Sequence, residues 1–83
     1  MDLSAWLLRH TPPRPLLVAA PGGTVARLAV ERAVRERGWR PALSPAEANL
    51  LVVAGAAGHE LEPFVRRVWD QLPAPRARVD IPE

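Results

Sequence analysis

The chain has 83 residues, of which 48% are hydrophobic and 24% charged. That is a globular balance in a length that allows one domain at most. Net charge is only +2, and all eleven basic residues are arginines interleaved with glutamate, as in Glu31-Arg32 and Arg35-Glu36-Arg37. A nucleic-acid partner would want clustered positive charge instead.

The absence of cysteine excludes disulfides, thiolate catalysis and cysteine-ligated metal, and His10 and His59 have no metal-ligand spacing. No apolar run approaches the roughly 18 residues that span a bilayer. The N-terminus lacks a basic stretch followed by an apolar one, so no leader is expected and the expected location is cytoplasmic.

Residues 3–9 read as a short amphipathic helix, with Leu3, Trp6 and Leu7 on one face at i, i+3, i+4. Residues 1–10 are set apart by Thr11-Pro12-Pro13-Arg14-Pro15, a run that breaks a helix and reads as a stiff linker over 11–15. Residues 16–83 then form an α/β domain. Leu16-Leu17-Val18-Ala19-Ala20 is apolar without alternation, as suits a parallel strand covered on both faces. Pro21-Gly22-Gly23 is a loop, and Thr24 is expected to cap the helix that follows over 25–37. Ala26, Ala29, Val30, Ala33 and Val34 line one side of that helix, Glu31 and Arg35 form an i, i+4 pair, and Gly38 ends it.

Residues 39–43 are expected as a short strand, confined to an edge because Pro41 has no ladder donor. Residues 44–48 read as one turn, 50–54 as a second buried strand, and Gly55-Ala56-Ala57-Gly58 as a second loop of small residues. The clearest helix covers 60–72, with Leu61, Phe64, Val65, Val68 and Leu72 as its apolar stripe and Pro63 in its first turn. In 76–81, a last strand, Val79 and Ile81 alternate with Arg78 and Asp80. Right-handed crossovers between these strands predict a small flavodoxin-like parallel sheet of about four strands in the order 2-1-3-4, with two main helices and a short N-terminal helix.

Two blocks carry a family resemblance. Ser44-Pro45-Ala46-Glu47-Ala48-Asn49-Leu50-Leu51-Val52-Val53-Ala54-Gly55 is followed by Glu62-Pro63-Phe64-Val65-Arg66-Arg67-Val68-Trp69-Asp70-Gln71-Leu72-Pro73-Ala74-Pro75-Arg76. In order and spacing they resemble the cluster-bearing small subunit of NADH:quinone oxidoreductase, a family related to nickel–iron hydrogenase small subunits. Upstream, Ala26-Arg27-Leu28-Ala29-Val30-Glu31 is similar in frame to that family's adjacent-cysteine motif, with Arg27 and Leu28 where the cysteines would stand and a shorter spacing to Ser44. A four-iron cluster needs thiolate ligands, which arginine and leucine do not supply. The resemblance therefore implies the fold without the electron carrier.

The loops Pro21-Gly22-Gly23-Thr24 and 55–58 follow strands expected to be neighbours, so they border the crevice where open α/β sheets bind ligands. Backbone amides at a helix start there can take a phosphate, which makes Gly22, Gly23, Thr24, Gly55 and Gly58 the candidate cofactor-binding residues. Neither a P-loop lysine nor a G-x-G-x-x-G spacing accompanies them, and the alternative reading is a tight turn that lets the helix pack. His59 reads as a helix-start residue, Asp70 and Gln71 as hydrogen-bonding groups at a helix end near Arg76, and Trp39 and Trp69 as packing. No serine or threonine has a nucleophile's context. No catalytic residue, cofactor or metal is assigned.

The leading expectation is a cluster-free relative of the respiratory small subunit, not catalytic alone, acting as an accessory or protein-interaction module of an oxidoreductase system. The rivals are a small nucleotide- or anion-binding domain using the two glycine loops, and a detached piece of a larger oxidoreductase complex. The expected partner is a protein or a second copy, in a homodimer with Leu3, Trp6 and Leu7 at or near the interface. Nucleic acid and a transmembrane segment are not expected, and peripheral membrane association would run through a partner. The protein should be colourless: anaerobic incubation with iron and sulfide, then desalting, should leave no stoichiometric visible absorption band, and a retained four-iron cluster would refute the ligand argument.

Overall fold

The computed structural model describes residues 12–82. Its elements are β1 (Pro15–Ala19), α1 (Thr24–Arg37), a 3-10 turn (Pro45–Glu47), β2 (Leu50–Ala54), α2 (Glu62–Gln71) and β3 (Ala77–Ile81). The three strands form one parallel sheet in the order β1-β2-β3, in a register that aligns Pro15 with Leu50 and Ala77 at one end and Ala19 with Ala54 and Ile81 at the other. The protein is α/β, with two helices among the described residues.

The expected fourth strand at 39–43 is absent, and the order 2-1-3-4 reduces to three strands. The segment does run beside β1, but makes one backbone bond to it, from Ala42 N–H to the Pro15 carbonyl at 2.8 Å. Pro41 has no N–H to extend the ladder. The Leu43 N–H donates instead to the Glu47 carboxylate at 3.1 Å, which turns the chain into the 3-10 turn.

Strand alternation sorts the apolar residues onto two faces. Leu16, Val18, Leu51 and Val53 pack with Val65 and Val68 of α2, with Leu72 just past its end, and with Ala48. Leu51, Val53 and Val65 are fully buried at the centre of this core. Phe64, expected in the stripe, lies on its rim and is 45% exposed, because the positions facing the sheet are Leu61, Val65, Val68 and Leu72. On the opposite face α1 lies over β1 and β2, with Ala26 and Val34 buried.

Other details of α1 also differ from expectation. Ala29 is exposed. Gly23 rather than Thr24 occupies the N-cap position, with no side-chain cap bond, so Thr24 is the first helical residue. Glu31 pairs with Arg27 at 2.9 Å rather than with Arg35, and Arg32 pairs with Glu36 at the same distance. The same i, i+4 spacing serves these pairs, and at such exposed positions each contributes a few tenths of a kcal/mol. Gly38 ends the helix in the left-handed conformation, φ 69°.

Asn49, 9% exposed, joins the strand starts. Its side-chain oxygen accepts the Arg14 N–H at 2.7 Å, and its amide nitrogen donates to the Pro12 carbonyl at 3.0 Å. Its backbone N–H donates to the Arg14 carbonyl at 3.2 Å, and its carbonyl accepts the Ala77 N–H at 3.0 Å. From Pro12 onward, the run read as a linker is thus held against the domain. Leu3, Trp6, Leu7 and the expected N-terminal helix lie outside the described residues. Replacing Asn49 by leucine strands the Arg14 N–H and the Pro12 carbonyl. Pro12 is exposed, so its carbonyl can turn to water, and at about 1–3 kcal/mol for one poorly solvated group left unpaired Asn49→Leu should lose roughly 1–3 kcal/mol in urea denaturation; an unchanged midpoint would show that the clamp carries no weight.

Candidate functional site

The two glycine loops stand side by side at the C-terminal ends of β1 and β2. Ala20 N–H donates to the Ala54 carbonyl at 2.8 Å, Gly23 N–H to the Ala20 carbonyl at 2.9 Å, and Gly55 N–H to the Ile81 carbonyl at 2.7 Å. Gly23 and Gly55 are both buried and pack backbone against backbone. A Cβ on Gly55 would sit 2.9 Å from the Gly23 Cα, and one on Gly23 would sit 2.5 Å from the Ala54 carbonyl oxygen. The closest part of the crevice is therefore filled by the chain itself.

The remaining candidates do not join them. Gly22 and Thr24 are exposed, and Gly22 (φ 79°) has open space where a side chain would go. Gly58 is exposed too, and its carbonyl accepts the Leu61 and Glu62 N–H groups that begin α2. His59 is exposed beside it. Arg27, in the frame of the cysteine motif, is held by Glu31, and Leu28 is 52% exposed on the outside of α1.

On the α2 side, β3 presents Arg78 and Asp80 in the rows where β1 and β2 present apolar residues. Arg78 donates to both Glu62 oxygens, at 2.8 and 3.2 Å, and to Asp80. The Arg78 hydrogen bond holds the Glu62 carboxyl below its ordinary pKa against a partial desolvation that acts the other way, and the charges of Arg78 and Arg66 add to the lowering. The same bonds to Glu62 and Asp80 raise the Arg78 guanidinium above its ordinary value. At the end of α2, Arg76 lies 4.3 Å from the centroid of the Trp69 ring and donates to the Trp69 and Leu72 carbonyls. Gln71 donates to the Arg67 carbonyl. These bonds to the Arg67, Trp69 and Leu72 carbonyls close the helix end.

The opposite side of the sheet is different. α1 packs mainly on β1 and β2, and between it and β3 an apolar groove of about 280 Å³ is lined by Val30, Val34, Trp39, Val52, Val79 and Ile81. Sequence reading put Trp39 and Val79 in packing and strand positions without showing that they share a groove. The alternation of Val79 and Ile81 was its one available signal. Among the described residues no three His, Asp or Glu side chains gather as a metal site, and no helix is long and apolar enough to cross a membrane. No protein-family model matches the chain.

The glycine geometry ranks three substitutions. Gly22→Ala meets only the left-handed backbone cost of about 1–2 kcal/mol. Gly23→Ala and Gly55→Ala each drive a methyl group into fixed backbone and should lower the melting temperature further. Thermal unfolding of the three variants side by side checks the order, and equal losses would show that the loops are not in contact.

Proposed function

We propose that this chain is a cluster-free relative of the NADH:quinone oxidoreductase small subunit, with a flavodoxin-like half sheet, that works as a protein-interaction module of an oxidoreductase system. The family part of this reading rests on the two blocks at 44–55 and 62–76. They form one continuous unit of turn, strand, helix and exit turn, in which the 3-10 turn packs against α2.

The interaction part rests on one observation, the outer edge of β3. Ala77 N–H and the Ile81 carbonyl both point to the β2 side, so residues 77, 79 and 81 spend their backbone groups inside the sheet. By alternation, Arg78 and Asp80 turn theirs outward. No strand pairs with that edge among the described residues. Open edges are templates for an added strand, and main-chain bonding of this kind is a recurrent mode of protein recognition. The contact between Gly23 and Gly55 favours this reading over the nucleotide one, since it takes up the space nearest the strand ends.

Asp80→Pro removes the outward N–H and leaves the inner ladder intact, a change edge strands tolerate. The tagged full chain, cross-linked in its own cells, should recover subunits of a redox complex. Asp80→Pro should recover them less by about fivefold or more, the effect of roughly 1 kcal/mol lost from an interface, with its cooperative melting retained. Recovery of no electron-transfer protein, or equal recovery by the variant, would overturn the proposal.

A further inference from the structure

The outer edge of β3 turns the backbone groups of Arg78 and Asp80 away from the sheet, and no strand among the described residues bonds them. The charges along that edge say which strand fits it. Arg78 and Asp80 are the two edge-facing residues, and they are opposite in sign.

A second copy of β3 can meet this edge antiparallel about a two-fold axis, which uses the same patch twice and closes at two copies. Residues that exchange main-chain bonds across the ladder must both face it, so residues 78 and 80 of one copy must oppose edge-facing residues of the other. Setting Arg78 against Arg78 places like charges directly opposite, which is destabilising. Setting Asp80 against Asp80 does the same, and it also brings Arg78 against Pro82, which has no N–H to donate. Setting Arg78 against Asp80 gives an opposite-charge pair on each side of the axis, and each pair exchanges both of its main-chain bonds. In that register Val79 faces Val79 at the axis and Ile81 faces Ala77, so the neighbouring pairs are apolar.

The side chains suit the arrangement. Arg78 is already held by Glu62 on the α2 side of the sheet. The Asp80 side chain is 58% exposed, and a carboxylate has acceptor sites beyond the two bonds it takes from its own Arg78. We propose that two copies of this chain pair antiparallel through β3, with Arg78 of each opposite Asp80 of the other, joining their sheets into one. This rests on the open β3 edge of the preceding reading and names a second copy of the chain as a strand it takes. Five residues a side make a small contact, so the pair is weak and forms at high micromolar concentration.

The lack of native cysteine lets thiols report the register. At the axis the two Val79 Cα atoms stand about 4.5 Å apart, within the span of a disulfide. The two Ile81 residues stand roughly 13 Å apart along the ladder. Under mild oxidation Val79→Cys should become a covalent dimer and Ile81→Cys should stay monomeric. In sedimentation the unaltered chain should dimerise with concentration, and Asp80→Arg should weaken that association about tenfold, because it sets arginine against arginine. A second variant, Glu62→Gln with Arg78→Asp, carries the reverse edge charge. Alone it should be monomeric, and mixed with Asp80→Arg it should restore dimers, since every pair across the ladder is then opposite in sign. A chain that is monomeric at every concentration overturns the self-pairing, and so do covalent dimers of both cysteine variants alike or a mixture of cooperatively melting variants that stays monomeric. If the chain is monomeric and Asp80→Pro still loses its partners, the self-pairing fails and the edge reading stands. If the dimers form in this register and Asp80→Pro recovers its partners equally, the self-pairing stands and the reading of a foreign partner fails.

Discussion

The Asn49 clamp holds the frame on which the rest of the structure depends. A parallel sheet has no hairpins to fix its register, and each strand must be aligned by contacts made far apart in sequence. Asn49 supplies both an acceptor and two donors toward Pro12 and Arg14, and its carbonyl takes the Ala77 N–H. One residue thus aligns the starts of β1, β2 and β3. Its side chain has one acceptor and one donor face to match a backbone N–H and a carbonyl, which neither a carboxylate nor an apolar residue does. Burial makes those bonds count, since an unpaired polar group there would find no water.

From that alignment follow two unlike faces. Where Leu16, Leu51 and Arg78 share a row, and Val18, Val53 and Asp80 the next, the core under α2 is apolar for two strands and ends in an ion pair at the third. That pair closes the edge of the core with little net stabilisation, because it is substantially exposed. On the other face the rows stay apolar through Val79 and Ile81, and α1 packs mainly on β1 and β2. A one-residue slip of β3 would exchange the faces, moving Arg78 and Asp80 into the groove beside α1 and Val79 and Ile81 to the edge of the core under α2. The groove is thus a product of register.

The glycine loops show how one sequence feature serves either chemistry or packing. Glycines after strands permit close approach by a ligand or by another piece of backbone. Gly23 and Gly55 approach each other, and Gly22 alone turns an open position to solvent with a left-handed backbone. The loops lie where the strand order placed them, but their contact could not be read from composition, since it depends on the distance between two segments more than thirty residues apart.

Local pattern determined most of the elements. The apolar runs at Leu16–Ala20 and Leu50–Ala54, the αL glycine after α1 and the stripe of α2 each follow from interactions within a few residues, and so they were legible in order along the chain. The failures also have local causes seen too generously. Residues 39–43 have strand-like composition, but a strand exists only as a ladder, and Pro41 leaves Ala42 as the segment's single bond to β1. Glu31 had two partners at helical spacing, Arg27 and Arg35, and nothing in the spacing chose between them. What only tertiary structure decided was everything that depends on distance between remote segments: the partners of Asn49, the contact between Gly23 and Gly55, and the apolar groove between α1 and β3. Sequence periodicity specifies which side of an element is apolar. It does not specify how wide the covering helix is relative to the sheet beneath it, and that mismatch is what leaves Val79 and Ile81 uncovered by α1.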